Sequence, residues 1–191
     1  MHHRPGPPCM FVSVPMFVSS LINDKTSLHH RPLVPIWVTT HLFPESSCMK
    51  GKVFVDTNIL IYAHNLDAGV KHDIAVSVIE GLWEKETGVL STQVMQEFYV
   101  NVTRKISAPL SPAKARGVIE NYLAWQVELN DPETILLASE IEERYLLSFW
   151  DSLIVAAARR GSANKILTED LTHGQRLEGI YIENPFLQSQ D

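Results

Sequence analysis

Only two cysteines occur in 191 residues, Cys9 and Cys48, and none follows. That scarcity excludes a disulfide framework and a thiolate metal site, and it fits a reducing cytoplasm. No stretch reaches the ~18 apolar residues of a membrane span, so no membrane association is expected. Positive charge is also short: 16 Lys and Arg stand against 22 Asp and Glu, for a net charge of −6. A broad basic groove for nucleic acid is therefore disfavoured. Local pairs remain, at Arg104-Lys105, Lys114 with Arg116, and Arg159-Arg160, although each also reads as a solvated helix end.

What is present is unevenly distributed. Residues 1–48 hold seven of the eleven prolines, five of the eight histidines and only two acids, Asp24 and Glu45. Met-Phe-Val-Ser recurs at Met10 and Met16, and His-His-Arg-Pro at His2 and His29. Proline interrupts every apolar run, so no helical or strand period persists. This segment reads as a low-complexity, disordered leader without a core of its own. Met49 is expected to be the natural start, with the leader arising from a start-site error; peptides from before Met49 in the native protein would contradict that. A secretory signal fits poorly, since Pro15 breaks the apolar stretch from Met10 to Ile22.

From residue 49 onward strands and helices alternate. Val53–Val55 is a buried strand, with Thr57 capping the helix after it. Ile74, Val78, Ile79 and Leu82 mark one face of a helix over Lys71–Lys85. A short strand at Val89–Ser91 leads into a helix running to about Ile106. Ser111-Pro112 and Asp131-Pro132 each place a cap before proline at the first helical position. Between those helices Val127–Leu129 is a brief strand. Ser148 opens a further helix, its apolar stripe running from Trp150 through Ala158, and strands follow at Lys165–Thr168 and Gly179–Ile182. Such alternation predicts an α/β fold with a mainly parallel sheet and helices on both faces.

Four acids occupy notable settings. Asp56 ends a buried strand, where open α/β sheets bind ligands; it reads equally as a helix cap. Glu97 lies on an otherwise apolar stretch of helix and could simply be a solvated flank. Asp151 is the third helical residue after Ser148, a capping-box position as well as a candidate ligand. Asp170 again follows a strand, and Glu169 competes with it for the inward direction. Four carboxylates in one cleft cannot all stay ionised without a cation, so together they point to a hard divalent metal.

The order of these contexts carries a resemblance. Val55-Asp56-Thr57-Asn58-Ile59-Leu60, Gln96-Glu97-Phe98, Trp150-Asp151-Ser152-Leu153-Ile154 with Ala156–Ala158, and Thr168-Glu169-Asp170-Leu171 are similar to the motifs of PIN-domain ribonucleases, specifically the VapC-type toxins of bacterial toxin–antitoxin pairs. The tail from His173-Gly174-Gln175 to Asn184-Pro185-Phe186 is similar too. The resemblance spans roughly residues 49–187, within a PIN domain assigned to 49–191. It implies a three-layer α/β/α sandwich with Asp56, Glu97, Asp151 and Asp170 as catalytic and metal-binding residues. Asp56 and Asp151 are expected nearest a Mg²⁺ or Mn²⁺ ion, while Asn58 and Thr168 orient water or phosphate. The implied activity is hydrolysis of RNA phosphodiesters, with Arg104, Lys105 and Arg116 as rim contacts to RNA. The implied partners are an antitoxin lying across the acidic groove and a second copy of the chain in a homodimer.

Two other readings compete. A catalytically silent PIN module would bind RNA or antitoxin without cutting, and the four intact acids argue against it. A haloacid-dehalogenase-like phosphatase also starts from a strand and an aspartate, but it needs a second Asp where this chain has Asn58. Divalent-dependent RNA cleavage separates the first alternative, and release of phosphate from a generic monoester the second.

Overall fold

The computed structural model describes residues 51–187. The leader assigned to residues 1–48, the start at Met49 and the end of the chain after Leu187 lie outside these residues. Six strands, β1 (Lys52–Val55), β2 (Gly88–Ser91), β3 (Gln126–Glu128), β4 (Ala163–Leu167), β5 (Arg176–Leu177) and β6 (Ile180–Glu183), form one sheet in the order β3-β2-β1-β4-β6-β5. All pairings are parallel except β5 with β6. Six α-helices connect them: α1 (Thr57–Ala63), α2 (Val70–Lys85), α3 (Thr92–Arg104), α4 (Pro112–Tyr122), α5 (Pro132–Tyr145) and α6 (Phe149–Arg160).

The layering follows from handedness. The chain steps from β1 to β2 to β3 in one direction, then returns across the sheet to β4. Right-handed crossovers that move in opposite directions place their helices on opposite faces. Accordingly α1 to α4 form one helical group, and α5 packs on α6, which lies against β2, β3 and β4. Both faces of the central strands are thus covered. Phe54, Val55, Val89 and Leu90 are all fully buried, although neighbouring residues point to opposite faces. Buried on all sides between α5 and the sheet, α6 carries small and branched residues from Ser152 to Ala158 without interruption.

Local chemistry sets the element ends. Ser91, Ser111, Asp131 and Ser148 each accept a hydrogen bond from a backbone N–H in the first helical turn. The first cap differs from expectation: Asp56, not Thr57, accepts the N–H of the helix it precedes, so Thr57 Oγ1 is free for another partner. Gly88 is demanded by close packing, since a Cβ there would lie 2.3 Å from the Trp125 ring. Trp150 departs from its expected place on the buried stripe. It is 62% exposed, while Phe149 beside it packs against the core. The two-residue β5 and its hairpin with β6 were not expected.

Candidate active site

The strand order reverses between β1 and β4, which is where open parallel sheets leave a crevice at their carboxyl ends. The last ladder bond there runs from Asp56 N–H to the Leu167 carbonyl, at 3.0 Å. Asp56 and the Thr168–Asp170 segment are therefore adjacent by sheet geometry, although 112 residues separate Asp56 from Thr168.

Three of the four candidate acids are tied together here by neutral donors. Thr168 Oγ1 donates to Asp56 Oδ2 at 2.6 Å, and the Thr57 N–H donates to Asp56 Oδ1 at 2.6 Å. Asn58 Nδ2 reaches Asp56 Oδ2 at 3.2 Å, Asp170 Oδ2 at 2.9 Å and Thr168 Oγ1 at 3.3 Å. Thr57 Oγ1, released from capping, donates to Glu97 Oε2 at 2.8 Å. The two residues expected to support the site, Asn58 and Thr168, are thus its central donors.

Asp151 stands one step further away. Its Oδ2 accepts from Ser148 Oγ at 2.7 Å, and its N–H donates to that hydroxyl at 3.1 Å, so both bonds of the cap run through the hydroxyl instead of forming the reciprocal capping box. The link to the other acids runs through Gln93, which the sequence reading passed over. Gln93 Nε2 donates to Glu97 Oε1 at 3.0 Å and to the Trp150 carbonyl at 3.4 Å, bridging α3 to the start of α6. The signal was available, because Gln93 precedes Glu97 by four residues and so shares its helix face. In this network Asp56 is linked to Asp170 through Asn58 and Thr168 and to Glu97 through Thr57, whereas Asp151 joins only through the α6 backbone and Gln93.

The electrostatics are unbalanced. No Lys or Arg forms an ion pair with Asp56, Glu97, Asp151 or Asp170 among the described residues. Burial lifts the Asp56 carboxyl to about 6; the Thr168 and Thr57 hydrogen bonds oppose this, and the negative charges of Asp170 and Glu97 add to it. Two buried acceptors on the same bridging side chains, Asn58 Oδ1 and Gln93 Oε1, have no hydrogen-bond partner. Buried polar atoms are normally paired, so these two vacant acceptors need a donor.

A hard divalent ion fits this donor set. Every available ligand atom is oxygen, and the uncompensated charge is negative. Among the described residues no three acidic or imidazole side chains already converge as a complete ligand shell. Mg²⁺ takes one or two carboxylates directly and keeps several waters, which donate hydrogen bonds. Asp56 with Asp170, beside the unpaired Asn58 Oδ1, would suit such an ion.

The rim candidates separate into two kinds. Arg104, Lys105 and Arg116 are exposed and make no ion pair among the described residues. Arg104 follows Glu97 by seven residues on α3, about 10 Å along the axis at 1.5 Å per residue. Arg159 and Arg160 are instead engaged with Glu178 and with Asp131 and Glu133.

Fold and site together define an α/β protein with a cluster of carboxylates at the switch point of a mainly parallel sheet. Residues 53–175 match the PIN domain model, and the chain belongs to the PIN domain family. Its fold is similar to that of a toxin–antitoxin complex from Klebsiella pneumoniae, with a TM-score of 0.54 and 16% identity over 71% of this chain and 98% of that one. It is also similar to DNA-bound VapBC from Salmonella typhimurium, with a TM-score of 0.50 and 19% identity over 70% and 98% of the two chains. No curated protein matches the chain significantly.

Proposed function

We propose that this protein is a divalent-metal-dependent endoribonuclease and the toxin of a toxin–antitoxin pair. The observation that carries the reading is the switch-point cluster: three carboxylates joined by hydroxyl and amide donors, with no basic side chain among the described residues paired to them. Membership of the PIN domain family supports it, as does likeness in fold to structures of toxin–antitoxin complexes.

Asp56 and Asp170 would hold Mg²⁺ or Mn²⁺ directly, with Glu97 and Asp151 completing the site through water or a second ion. The ion would lower the pKa of a bound water and stabilise charge on the phosphoryl oxygens. The protein's own contribution is orientation. Thr168 and Asn58 fix the Asp56 carboxylate from one side, and the Thr57 N–H fixes it from the other. Thr57 and Gln93 hold both oxygens of Glu97. Asn58 Oδ1 and Gln93 Oε1 remain free to accept from the waters of the ion. Backbone phosphates would meet Arg104, Lys105 and Arg116 on the rim. The excess of acid in the cleft also suits an antitoxin segment bearing Arg or Lys, and a homodimer is the expected assembly.

Incubating total RNA with the protein in Mg²⁺, and in parallel with chelator, tests the reading. Discrete cuts that require the metal and vanish in Asp56→Asn are expected. Equal cleavage by Asp56→Asn, or cleavage undiminished by chelator, would refute it.

A further inference from the structure

Two features of the sequence have no role in the chemistry above: the acid Glu169 beside Asp170, and the tail ending in Asn184-Pro185-Phe186. They meet in one place. Glu169 turns away from the cluster. Its Oε1 accepts from the Tyr62 hydroxyl on α1, and its Oε2 accepts from Lys71 Nζ on α2, both at 2.5 Å. Lys71 Nζ also donates to the Tyr62 hydroxyl at 3.2 Å. The ammonium lies 4.6 Å from the centre of the Tyr62 ring and 5.2 Å from that of Phe186, within range of cation–π attraction. The Tyr62 and Phe186 rings meet edge to face at 5.2 Å, and the Phe186 N–H is held by Asn184 Oδ1 at 2.9 Å. Two helices therefore close on one carboxylate, and the tail packs Phe186 against both of the side chains that hold it.

The geometry couples this cluster to the site. Asn58 and Tyr62 are four residues apart on α1, so they share a face. Asn58 grips Asp170 and Tyr62 grips Glu169, which are consecutive residues of one loop. Thr168 and Asp170 turn toward Asp56 and Asn58, while Glu169 between them faces α1 and α2. Lys71 also divides the charge of the two neighbouring acids. Glu169 is compensated, and Asp170 is left uncompensated toward Asp56.

We propose that Tyr62, Lys71, Glu169 and Phe186 form a brace that positions Asp170, making them positioning residues for the site and Glu169 no ligand of it. The consequence for the metal rests on the nuclease reading; the brace itself is a property of the metal-free chain. Groups that orient a metal ligand typically change affinity ten- to a hundredfold. With Lys71 42% and Glu169 20% exposed, this brace belongs at the low end, near tenfold.

The test compares Tyr62→Phe, Lys71→Met and Phe186→Ala with the unaltered protein in two measurements. The first is amide hydrogen exchange without metal, read at Asp170, whose N–H donates to Thr168 Oγ1 at 3.1 Å, with Ile166 in β4 as the control for global opening. The second is Mn²⁺ titration followed by electron paramagnetic resonance. About tenfold faster exchange at Asp170, unchanged exchange at Ile166 and about tenfold weaker Mn²⁺ binding are expected. In RNA cleavage kcat falls while KM holds. Glu169→Gln keeps the Tyr62 hydrogen bond and is expected to lose less. Unchanged Asp170 exchange in Tyr62→Phe overturns the brace. So does Glu169→Gln weakening Mn²⁺ as much as Asp170→Asn while Tyr62→Phe has no effect, since Glu169 would then be a ligand. An unaltered protein that binds no Mn²⁺ strikes the nuclease reading, and exchange at Asp170 still decides the brace.

Discussion

Two groups of acids in this protein make opposite bargains with their surroundings. Around α5 and α6, Glu178 faces Arg144 and Arg159, and Asp131 and Glu133 face Arg160. Asp56 and Asp170 at the ends of β1 and β4, and Glu97 on α3, face only hydroxyls, amides and backbone N–H groups among the described residues. Asp131 and Asp56 make the contrast sharpest, because both cap a helix. Thr134 and Arg160 hold the Asp131 carboxyl below its ordinary value, whereas burial and neighbouring acids lift that of Asp56. An acid neutralised by the chain itself serves the fold. One left charged, buried and fixed by neutral donors is set for a cation from outside.

The largest effect expected from breaking this contrast is at Asp56. Asp56→Asn should reduce metal-dependent RNA cleavage to background, measured on total RNA. The same substitution should stabilise the metal-free fold. The folded pKa of about 6 lies above the ordinary 3.8, so the ionised carboxylate opposes folding, fully above pH 6 and not at all below 3.8. At 1.36 kcal/mol per unit the gain is up to about 3 kcal/mol at pH 7.5 and vanishes near pH 3.5. Urea denaturation at the two pH values, with chelator, measures it.

Metal should act in the reverse sense. Mn²⁺ at a hundred times its dissociation constant is expected to stabilise the unaltered protein by about 2.7 kcal/mol, and Asp56→Asn much less. Thermal melts with and without the ion give the difference.

A third effect is a matter of proton balance. Burial pushes His64, packed edge-on against Phe98 and Tyr122, down to about 4. The unfolded chain therefore takes up a proton there between pH 6.5 and 4 that the fold refuses, and stability falls as pH drops through that window. Asp56 has the opposite sign over nearly the same range, so the two offset one another. Stability should be nearly flat from pH 6 to 4 as far as these groups set it, and should fall in Asp56→Asn. A fall of equal slope in both proteins would contradict the assignment.

The smallest effect belongs to the neutralised group. Arg160→Ala removes partly exposed ion pairs and should cost about 0.5 kcal/mol, with RNA cleavage unchanged.

Much of the fold was legible because its signals are local. Ser111-Pro112, Asp131-Pro132 and Ser148 marked helix starts at the observed residues, and β-branched runs marked the central strands. β5 was missed because two residues carry no period. Trp150 was placed on a buried stripe because spacing along a helix cannot reveal whether another element covers its first turn. Asn58 and Thr168 were read as supporting residues, but their bonds to Asp56 and Asp170 were not legible, since Thr168 and Asp170 meet Asp56 and Asn58 only through the β1–β4 pairing. Local sequence shows that Asp56 ends a strand and Asp131 precedes a proline, but not that an arginine 29 residues from Asp131 is brought back to it by α6. Gln93 and the Lys71–Glu169 contact were likewise hidden in tertiary proximity.

The most direct test is Mn²⁺ titration at pH 7.5, comparing the unaltered protein with Asp56→Asn, Asp170→Asn and Asp131→Asn. Binding that weakens at least about tenfold in the first two variants and holds in the third is the predicted result. No binding to the unaltered protein, or equal binding in all four, would contradict the account.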